Sequence, residues 1–452
     1  MGNNTRNRKA ATVNACKLCT PLGASLAFHG LEQAVCLLHG SQGCSTYIRR
    51  YLISHFKEPL DIASTNFSES SAVYGGRENL RAAVHNLVQQ YSPQLIGIAT
   101  TCLAETIGDD VKLFIRELEA QEGDSLPLLL PVSTPSYVGT HTDGFHAVVR
   151  AVAEWLPQEG SVLQQVNLFP GMLSPADLRY LKEIVGAFAY RYVMVPDYSV
   201  TLDGGLWHEY QAVPPGGTRM QDMHTLGRSV ASLEFSAAAP ERSSPGVYLQ
   251  ETHEVPLYRM GIPIGIQATD SLFDALEEIT GTAVPQVFLS ERARLADAYV
   301  DGHKYVFGKR VIVYGEEDLV AALVLFLCEI GAVPVIAASG GTSGRLEGLL
   351  RRHLSVTEMD NLQVLPESDF IDIELAGGKL KPDLVLGHSK GYKLATSLGI
   401  PHVRVGFPIH DRFGGQRILH IGYRGSQQLY DSIVNALLER MQADNPVGYT
   451  YL

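Results

Sequence analysis

Cysteine and charged residues are both scarce in this chain. Its 452 residues include six cysteines, and charged residues make up 19% of the total. Six cysteines are too few for a disulfide scaffold, and a reducing compartment would keep them as thiols. The formal net charge is −12, and no run of lysine and arginine exceeds a few residues. Nucleic-acid binding needs a basic face, so the composition argues against it.

An uninterrupted apolar run long enough to cross a membrane is also missing. The most apolar segment, LVAALVLFLCEIGAVPVIAAS (319–339), is broken by Glu329, Gly331 and Pro334. It predicts a buried helix followed by a buried strand. Residues 1–16 are polar and basic and contain no apolar core of a secretory signal. We therefore expect a cytoplasmic protein that does not associate with a membrane.

What the chain has in quantity is a repeated order of apolar strand, glycine-rich turn and helix. Its length predicts two to four domains at roughly 100–200 residues each. The apolar runs are continuous rather than alternating, which is typical of parallel strands buried on both faces. The pattern predicts an α/β protein with several doubly wound domains. The predicted strands include 95–101, 126–133, 166–171, 192–197, 310–315, 333–339, 383–387 and 403–407.

The cysteines divide into two groups by their surroundings. Cys36 and Cys328 lie inside apolar segments and are expected to be small core residues. The other four lie in or beside turns, and are Cys16, Cys19, Cys44 and Cys102. Cys44 in particular is expected in a glycine-rich turn, within HGSQGCSTY, where its thiol can be reached.

These four cysteines are candidates for metal chemistry. CKLC (16–19) is a C-x-x-C pair, but the chain has no second pair and no C…H-x₃₋₅-H spacing, so a zinc site is only weakly indicated. The pair does not follow a strand, which disfavours a thioredoxin-like role. Loop cysteines beside glycines suit an iron–sulfur cluster better, because thiolates are soft ligands for iron. Zinc and unliganded thiols remain alternatives on spacing alone.

Two candidates come directly after predicted strands. Cys102 follows the strand at 95–101, and Ser136 follows the strand at 126–133. In open parallel sheets, ligands bind beyond the carboxyl ends of the strands. We therefore expect both side chains to face a site crevice.

Several long segments carry a family resemblance. They are CTPLGASLAFHG, HGSQGCSTYIRRYLISHFKEP, SSAVYGG, ATTCLAETIGDD, STPSYVGTH, PDLVLGHSKG and RVGFPIHDR, in this order. Together they resemble the β-type subunits of nitrogenase component 1 and their relatives, including the cofactor-scaffold protein NifN. The resemblance covers nearly the whole chain. It implies three Rossmann-like domains, which we place at residues 1–160, 161–300 and 301–452, with a C-terminal helix that returns across the molecule.

The resemblance also implies a site and partners. In that family a P-cluster, 8Fe–7S, lies between the β-type subunit and an α-type subunit, usually in an α₂β₂ heterotetramer. Cys19, Cys44 and Cys102 match its three β-side iron ligands. Ser136 matches a serine that can bind iron in the oxidised cluster, and Tyr47 matches a tyrosine beside it. Cys16 has no counterpart in this pattern.

Two functions within the family fit the sequence. The first is a reductase subunit that relays electrons from an ATP-dependent iron protein to an iron–sulfur cofactor in the α-type partner. Its substrate would be dinitrogen or a methylthio-alkane, whose carbon–sulfur bond is cleaved. The second is a NifN-type scaffold with a 4Fe–4S cluster. The complete set of three cysteines favours the reductase, whereas VPDYSVTLDGG (195–205) and PPGGTRMQD (214–222) favour the scaffold.

A remote alternative comes from another class of protein. GHSKG (387–391) matches the G-x-S-x-G pattern of serine hydrolases, with Ser389 as the nucleophile. No HGGG-type oxyanion segment precedes it, so a tight strand-to-helix turn is the favoured interpretation. The chain has no G-x-x-x-x-G-K-[ST] segment, so ATP hydrolysis is expected in a partner protein.

Overall fold

The computed structural model describes residues 14–209 and 211–447. Three separate parallel sheets organise these residues, with four, four and five strands. Their order along the chain confirms the prediction of three Rossmann-like, doubly wound α/β domains. The first 13 residues, on which the expectation of no secretory signal largely depends, lie outside the described range.

The first sheet has the strand order β2-β1-β3-β4, with all neighbours parallel. Alternate residues of β1 enter two different apolar clusters, Val35 and Leu37 on one face and Cys36 and Leu38 on the other. Both faces are therefore covered, which explains the continuous apolar runs. The strands are β1 (Ala34–His39), β2 (Ile62–Ser64), β3 (Leu95–Thr100) and β4 (Leu128–Val132).

The second sheet repeats this arrangement, in the order β6-β5-β7-β8. Its strand β7 carries Ser232 and Glu234 in buried positions. Glu234 accepts hydrogen bonds from the Ser244 hydroxyl and the backbone N–H of Gly246. This strand has no continuous apolar run, so the hydrophobic pattern does not predict it. The strands are β5 (Leu163–Phe169), β6 (Arg191–Met194), β7 (Ser229–Phe235) and β8 (Leu257–Met260).

The third sheet has five parallel strands in the order β11-β10-β9-β12-β13. This is the 3-2-1-4-5 order of a Rossmann domain. The predicted apolar strand at 333–339 forms β10 with the bounds expected from the sequence. The strands are β9 (Arg310–Gly315), β10 (Val333–Ser339), β11 (Gln363–Leu365), β12 (Leu384–Gly387) and β13 (His402–Arg404).

Helices fill the connections between the strands. In the first domain they are α1 (Thr20–Phe28), α2 (Gln42–Phe56), α3 (Glu69–Tyr74), α4 (Arg77–Tyr91), α5 (Cys102–Ile107), α6 (Val111–Glu122) and α7 (His141–Trp155). The middle region contains α8 (Pro175–Ala187), α9 (Met220–Met223), α10 (Pro245–His253), α11 (Ile266–Thr280) and α12 (Gln286–Val306). The last region contains α13 (Glu317–Glu329), α14 (Leu346–His353), α15 (Val356–Asn361), α16 (Phe370–Leu380), α17 (Tyr392–Leu398) and α18 (Gly422–Asp444).

The C-terminal helix α18 returns to the middle region, where it packs against α11 and α12. A buried carboxylate fixes its start. Asp177 in α8 accepts hydrogen bonds from the backbone N–H groups of His420 and Ile421 at 2.7 and 3.2 Å. The proposed boundary at residue 300 falls within α12, because that helix runs on to Val306.

No helix within the described residues is long and apolar enough to span a membrane. The apolar segment 319–339 instead forms most of α13 and all of β10, as the sequence predicts. Of the three residues that interrupt it, Glu329 ends the helix, Gly331 lies in the turn that follows, and Pro334 is the second residue of β10.

Asp318, in the first turn of α13, joins the second and third sheets. It accepts a hydrogen bond from the backbone N–H of Ala238 at 2.7 Å. Burial raises the pKa of this carboxyl to about 7, from an ordinary value of 3.8. The folded protein therefore holds this proton more tightly than the unfolded chain does.

This linkage predicts that the free energy of unfolding falls as the pH rises from about 4 to about 7. Asp318→Asn keeps an acceptor for Ala238 and removes the titration. The variant should match the wild type only below about pH 4 and should exceed it in stability at pH 8, as measured by urea unfolding. Asp274→Asn, at an exposed position of α11, is the matched control. A wild-type pH dependence retained in Asp318→Asn would contradict this assignment.

Candidate metal centre

Three neighbouring strands of the first sheet end at the predicted site. Strand β3 lies between β1 and β4, so their carboxyl ends are adjacent. Cys44 follows β1, Cys102 follows β3 and Ser136 follows β4. Cys102 and Ser136 therefore lie together beyond the ends of adjacent strands, as expected for segments that follow parallel strands.

Each of the three candidate thiols lies at the start of a helix. Cys19 is the N-cap of α1, Cys44 is the third residue of α2, and Cys102 is the first residue of α5. The N–H groups at a helix start favour a negative charge, and so they favour the thiolate form that binds metals. All three cysteines therefore share the same local environment, the N-terminal end of a helix.

The placement of Cys44 differs from the sequence-based expectation. The tight turn is at Gly40, whose φ is +157° and where a Cβ would lie 1.9 Å from the Thr101 hydroxyl oxygen. Helix α2 begins two residues later, with Ser41 as its N-cap. Cys44 consequently lies in the first helical turn instead of in the glycine turn, because Gly43 is already helical.

Hydrogen bonds through Ser136 connect two of the cysteine segments. The backbone N–H of Ser136 donates to the Cys102 sulfur at 3.3 Å, and the Ser136 hydroxyl accepts from the backbone N–H of Thr20 at 3.2 Å. Thr20 directly follows Cys19. The first helix and the loop after β4 are thus held together at the site.

Cys44 and Cys102 lie close enough to Cys19 to affect the pKa of its thiol. Burial raises the pKa of Cys19 to about 11, and the neighbouring Cys44 and Cys102 add to the rise through like charge. The backbone N–H of Leu22 acts in the opposite direction. Metal binding at Cys19 would therefore displace a proton, because the bound form is the thiolate.

The thiols converge without closing around a single ion. Within residues 14–209 and 211–447, no three His, Cys, Asp or Glu side chains are grouped closely enough to hold one metal ion. This geometry does not support the mononuclear zinc alternative at these cysteines.

An exposed apolar rim lies on the segments that carry Cys44, Cys102 and Ser136, and on α3, which contacts α5. We use this name for Tyr47, Val73, Tyr74, Leu103, Tyr137 and Val138. Tyr47 is 44% exposed and packs against Tyr51, with ring centroids 4.7 Å apart. Burial of the ring, followed by the charges of Tyr51 and Cys19, raises the pKa of the Tyr47 hydroxyl. Tyr47 is therefore close enough to Cys19 for the two groups to interact electrostatically.

Cys16 faces away from the other thiols. It is 3% exposed and belongs to the apolar cluster of the third sheet, with Ile312, Tyr314 and Phe370. Burial raises the pKa of its thiol to about 12. The backbone N–H of Gly340 donates to the Cys16 carbonyl oxygen at 3.2 Å. Cys16 is therefore an anchor in the C-terminal domain.

Lys390 holds the same segment from the other side. Its ammonium group donates to the carbonyl oxygens of Ala15 and Lys17, the latter at 3.1 Å. The backbone N–H of Leu18 donates to His141 Nδ1 at 3.3 Å, and Nε2 of that ring lies 2.9 Å from Glu316. Residues 15–18, which lead into Cys19, are thereby fixed by two domains.

The serine-hydrolase alternative is not supported by the geometry. Ser389 is buried, and its hydroxyl donates to Asp411 and accepts from the backbone N–H of His410. Among the described residues no histidine ring bonds to this hydroxyl. The His402 ring instead contacts the Tyr314 hydroxyl at 2.8 Å. Ser389 therefore lacks the base that a nucleophilic serine requires.

Fold and site together define a three-domain α/β protein with an open-sided set of thiol ligands. A family model for nitrogenase component 1 type oxidoreductase matches residues 19–438. The chain is 35% identical to the nitrogenase molybdenum-iron protein beta chain of Clostridium pasteurianum, over 97% of this chain and 95% of that protein. It is 32% identical to NifN of Nostoc sp., over 97% and 96%.

The structural comparison agrees with these relatives. A solved chain of nitrogenase Cp1 at pH 6.5 superposes with a TM-score of 0.94 at 34% identity, covering 98% of this chain and 97% of that one. The protein belongs to the nitrogenase component 1 type oxidoreductase family, and within it to the β-type chains.

The structure adds residues that the sequence did not single out. His141, Glu316 and Lys390 support the segment before Cys19, although they lie more than 100 residues away from it in the chain. Lys390 stands within the GHSKG motif, whose glycines indicate only a turn. Nothing in the local sequence pattern points from Lys390 to residues 15–17.

We predict that Lys390→Met loosens the cysteine-bearing segment. Hydrogen bonds to a charged group contribute about 1.5–3 kcal/mol each. Amide hydrogen exchange of peptides covering residues 14–22 should therefore accelerate about tenfold or more. Lys390→Arg should recover part of the protection. Lys393→Met, at an exposed position nearby, should leave it unchanged, and equal exchange in both methionine variants would disprove the anchoring role.

Proposed function

We propose that this chain is the β-type subunit of a nitrogenase-like reductase. It would hold half of an interfacial iron–sulfur cluster of the 8Fe–7S type. Through that cluster, electrons would pass from an ATP-dependent iron protein to an iron–sulfur cofactor in an α-type partner, for reduction of dinitrogen or of methylthio-alkanes. The observation that carries the proposal is the convergence of Cys19, Cys44, Cys102 and Ser136 at one open edge of the first domain.

The residues present fit such a cluster. Cys19, Cys44 and Cys102 would supply the thiolates, and the Ser136 hydroxyl and Tyr47 would lie next to them. The grouping is too open for one ion, yet close enough for the thiolates to repel one another. When bound, a cluster of this kind takes up and releases single electrons. The chain's own part is to orient the ligands and to shield them from water.

The apolar rim supports an α-type partner. Tyr74, Tyr137 and Val138 are between 64% and 88% exposed, which is unusual for large apolar side chains beside a site. In the proposed heterotetramer, α₂β₂, the partner would cover this rim and complete the ligand set. The chain alone should therefore be inactive.

A NifN-type scaffold is the second candidate. The observation that favours it is the 32% identity to NifN of Nostoc sp. over almost the whole of both chains. In that case the cluster would be 4Fe–4S, and the assembly would hold a cofactor precursor.

We predict that Cys44→Ala and Cys102→Ala each lower the iron content of the purified assembly by about half or more, because a cluster loses stability with a missing thiolate. Iron is quantified per pair of subunits after anaerobic co-purification. Cys328→Ala, at a half-buried cysteine in α13, is the control. Wild-type iron content in both site variants would refute the cluster assignment.

Electron paramagnetic resonance distinguishes the two candidates. A cluster of the 8Fe–7S type is expected to be silent after dithionite reduction and to give signals after oxidation. A 4Fe–4S scaffold cluster is expected to give an S = 1/2 signal in the reduced state. The reductase proposal predicts the first result, and the second would transfer the assignment to the scaffold.

A further inference from the structure

A cavity of about 750 Å³ lies between the middle and third domains, and Cys19, Cys44 and Cys102 are not among the residues that line it. One wall is the passage from β8 into α11, at residues 259–271. The opposite wall is formed by α13, by α14 and by the start of α15. This volume is within the range of small-molecule sites, which are often found between domains.

Part of the cavity lining is apolar. Ala321 and Ala322 of α13 contribute small side chains, and Ile262, Ile264 and Leu349 surround them. The two alanines are buried, at 3% and 6% exposure. Longer apolar side chains at these positions would occupy the space that the alanines leave open.

The acidic groups that line the cavity are already engaged. Glu329 accepts hydrogen bonds from the first two backbone N–H groups of α11, at 2.7 and 2.9 Å. Glu358 accepts from the N–H and hydroxyl of Ser355 at the start of α15. Asp318 bonds to the backbone N–H of Ala238. Backbone N–H and hydroxyl donors therefore hold these carboxyl groups in place, and within the described part of the chain no ion pair joins them to Arg345 or Arg352.

The arginines at the α14 end are in the opposite situation. Arg345 and Arg352 line the cavity, and neither guanidinium has a hydrogen bond or an ion pair among the described residues. The remaining arginine, Arg259, is held by the carbonyl oxygens of Ser236 and Ala239. Arg345, which is half-buried, and Arg352, which is exposed, thus bring unpaired positive charge to the lining of a partly apolar cavity, in a protein whose formal net charge is −12.

We propose that this cavity binds a small organic anion. Its apolar body would lie against Ala321 and Ala322, and its single phosphate or carboxylate group would bind to Arg345 and Arg352. Planar, forked guanidinium groups are well suited to both anions. The proposed anion site uses none of the candidate iron ligands Cys19, Cys44 and Cys102. The inference therefore holds for either function proposed above.

Isothermal titration calorimetry on the full-length protein, purified with its partner, tests this proposal. The probes are 1-naphthyl phosphate, 1-naphthoate and the neutral 1-naphthalenemethanol. We expect at least one anion to bind about tenfold more tightly than the neutral probe, and the better anion identifies the preferred group. Arg345→Gln combined with Arg352→Gln should remove this advantage. Ala322→Leu should weaken binding of all three probes by filling the cavity.

Arg351→Gln is the matched control, because Arg351 is on the same helix but pairs with Glu347 at 2.6 Å and does not line the cavity. Circular dichroism verifies that each variant is folded. Equal affinity for neutral and anionic probes, equal weakening by Arg351→Gln, or no binding to the wild type would each overturn the proposal.

Discussion

Parallel pairing of β1, β3 and β4 is the constraint on which the cysteine site depends. Parallel strands end at the same edge of a sheet, so segments that follow them meet in space although the chain separates them widely. Cys44 and Cys102 are 58 positions apart and Ser136 is 34 further on, yet the strand order places all three at one edge. The helices that follow β1 and β3 then carry Cys44 and Cys102 in their first turns, where backbone N–H groups stabilise negative charge.

Contacts with the third domain fix the position of the C-x-x-C segment. Its two cysteines point to different environments, since Cys19 lies with the other candidate ligands and Cys16 is buried among Tyr314 and Phe370. Lys390 bonds to the carbonyl groups on either side of Cys16. The position of one candidate ligand is therefore set by the C-terminal domain, so a shift of that domain would move Cys19 relative to Cys44 and Cys102.

Much of the fold could be predicted from hydrophobic pattern alone, because strands such as β3, β9 and β10 are covered on both faces and read as continuous apolar runs. Strand β7 could not, because its buried Glu234 is satisfied by partners that only the folded chain brings near. The site residues likewise divide into those that the sequence predicts and those that only the folded structure reveals. The cysteines and Ser136 are visible in local motifs, whereas Lys390 contacts residues more than 370 positions away.

The open side of the thiol set and the exposed apolar rim are best understood together. A buried thiolate without a metal is costly, which is the reason that the pKa of Cys19 is raised. Exposed Tyr74 and Val138 are likewise unfavourable in water. A partner surface that supplies further ligands would remove both costs at once, since it excludes water from the rim while the metal neutralises the thiolates. In the proposed assembly, cluster binding and subunit association therefore stabilise each other, and neither should be complete without the other.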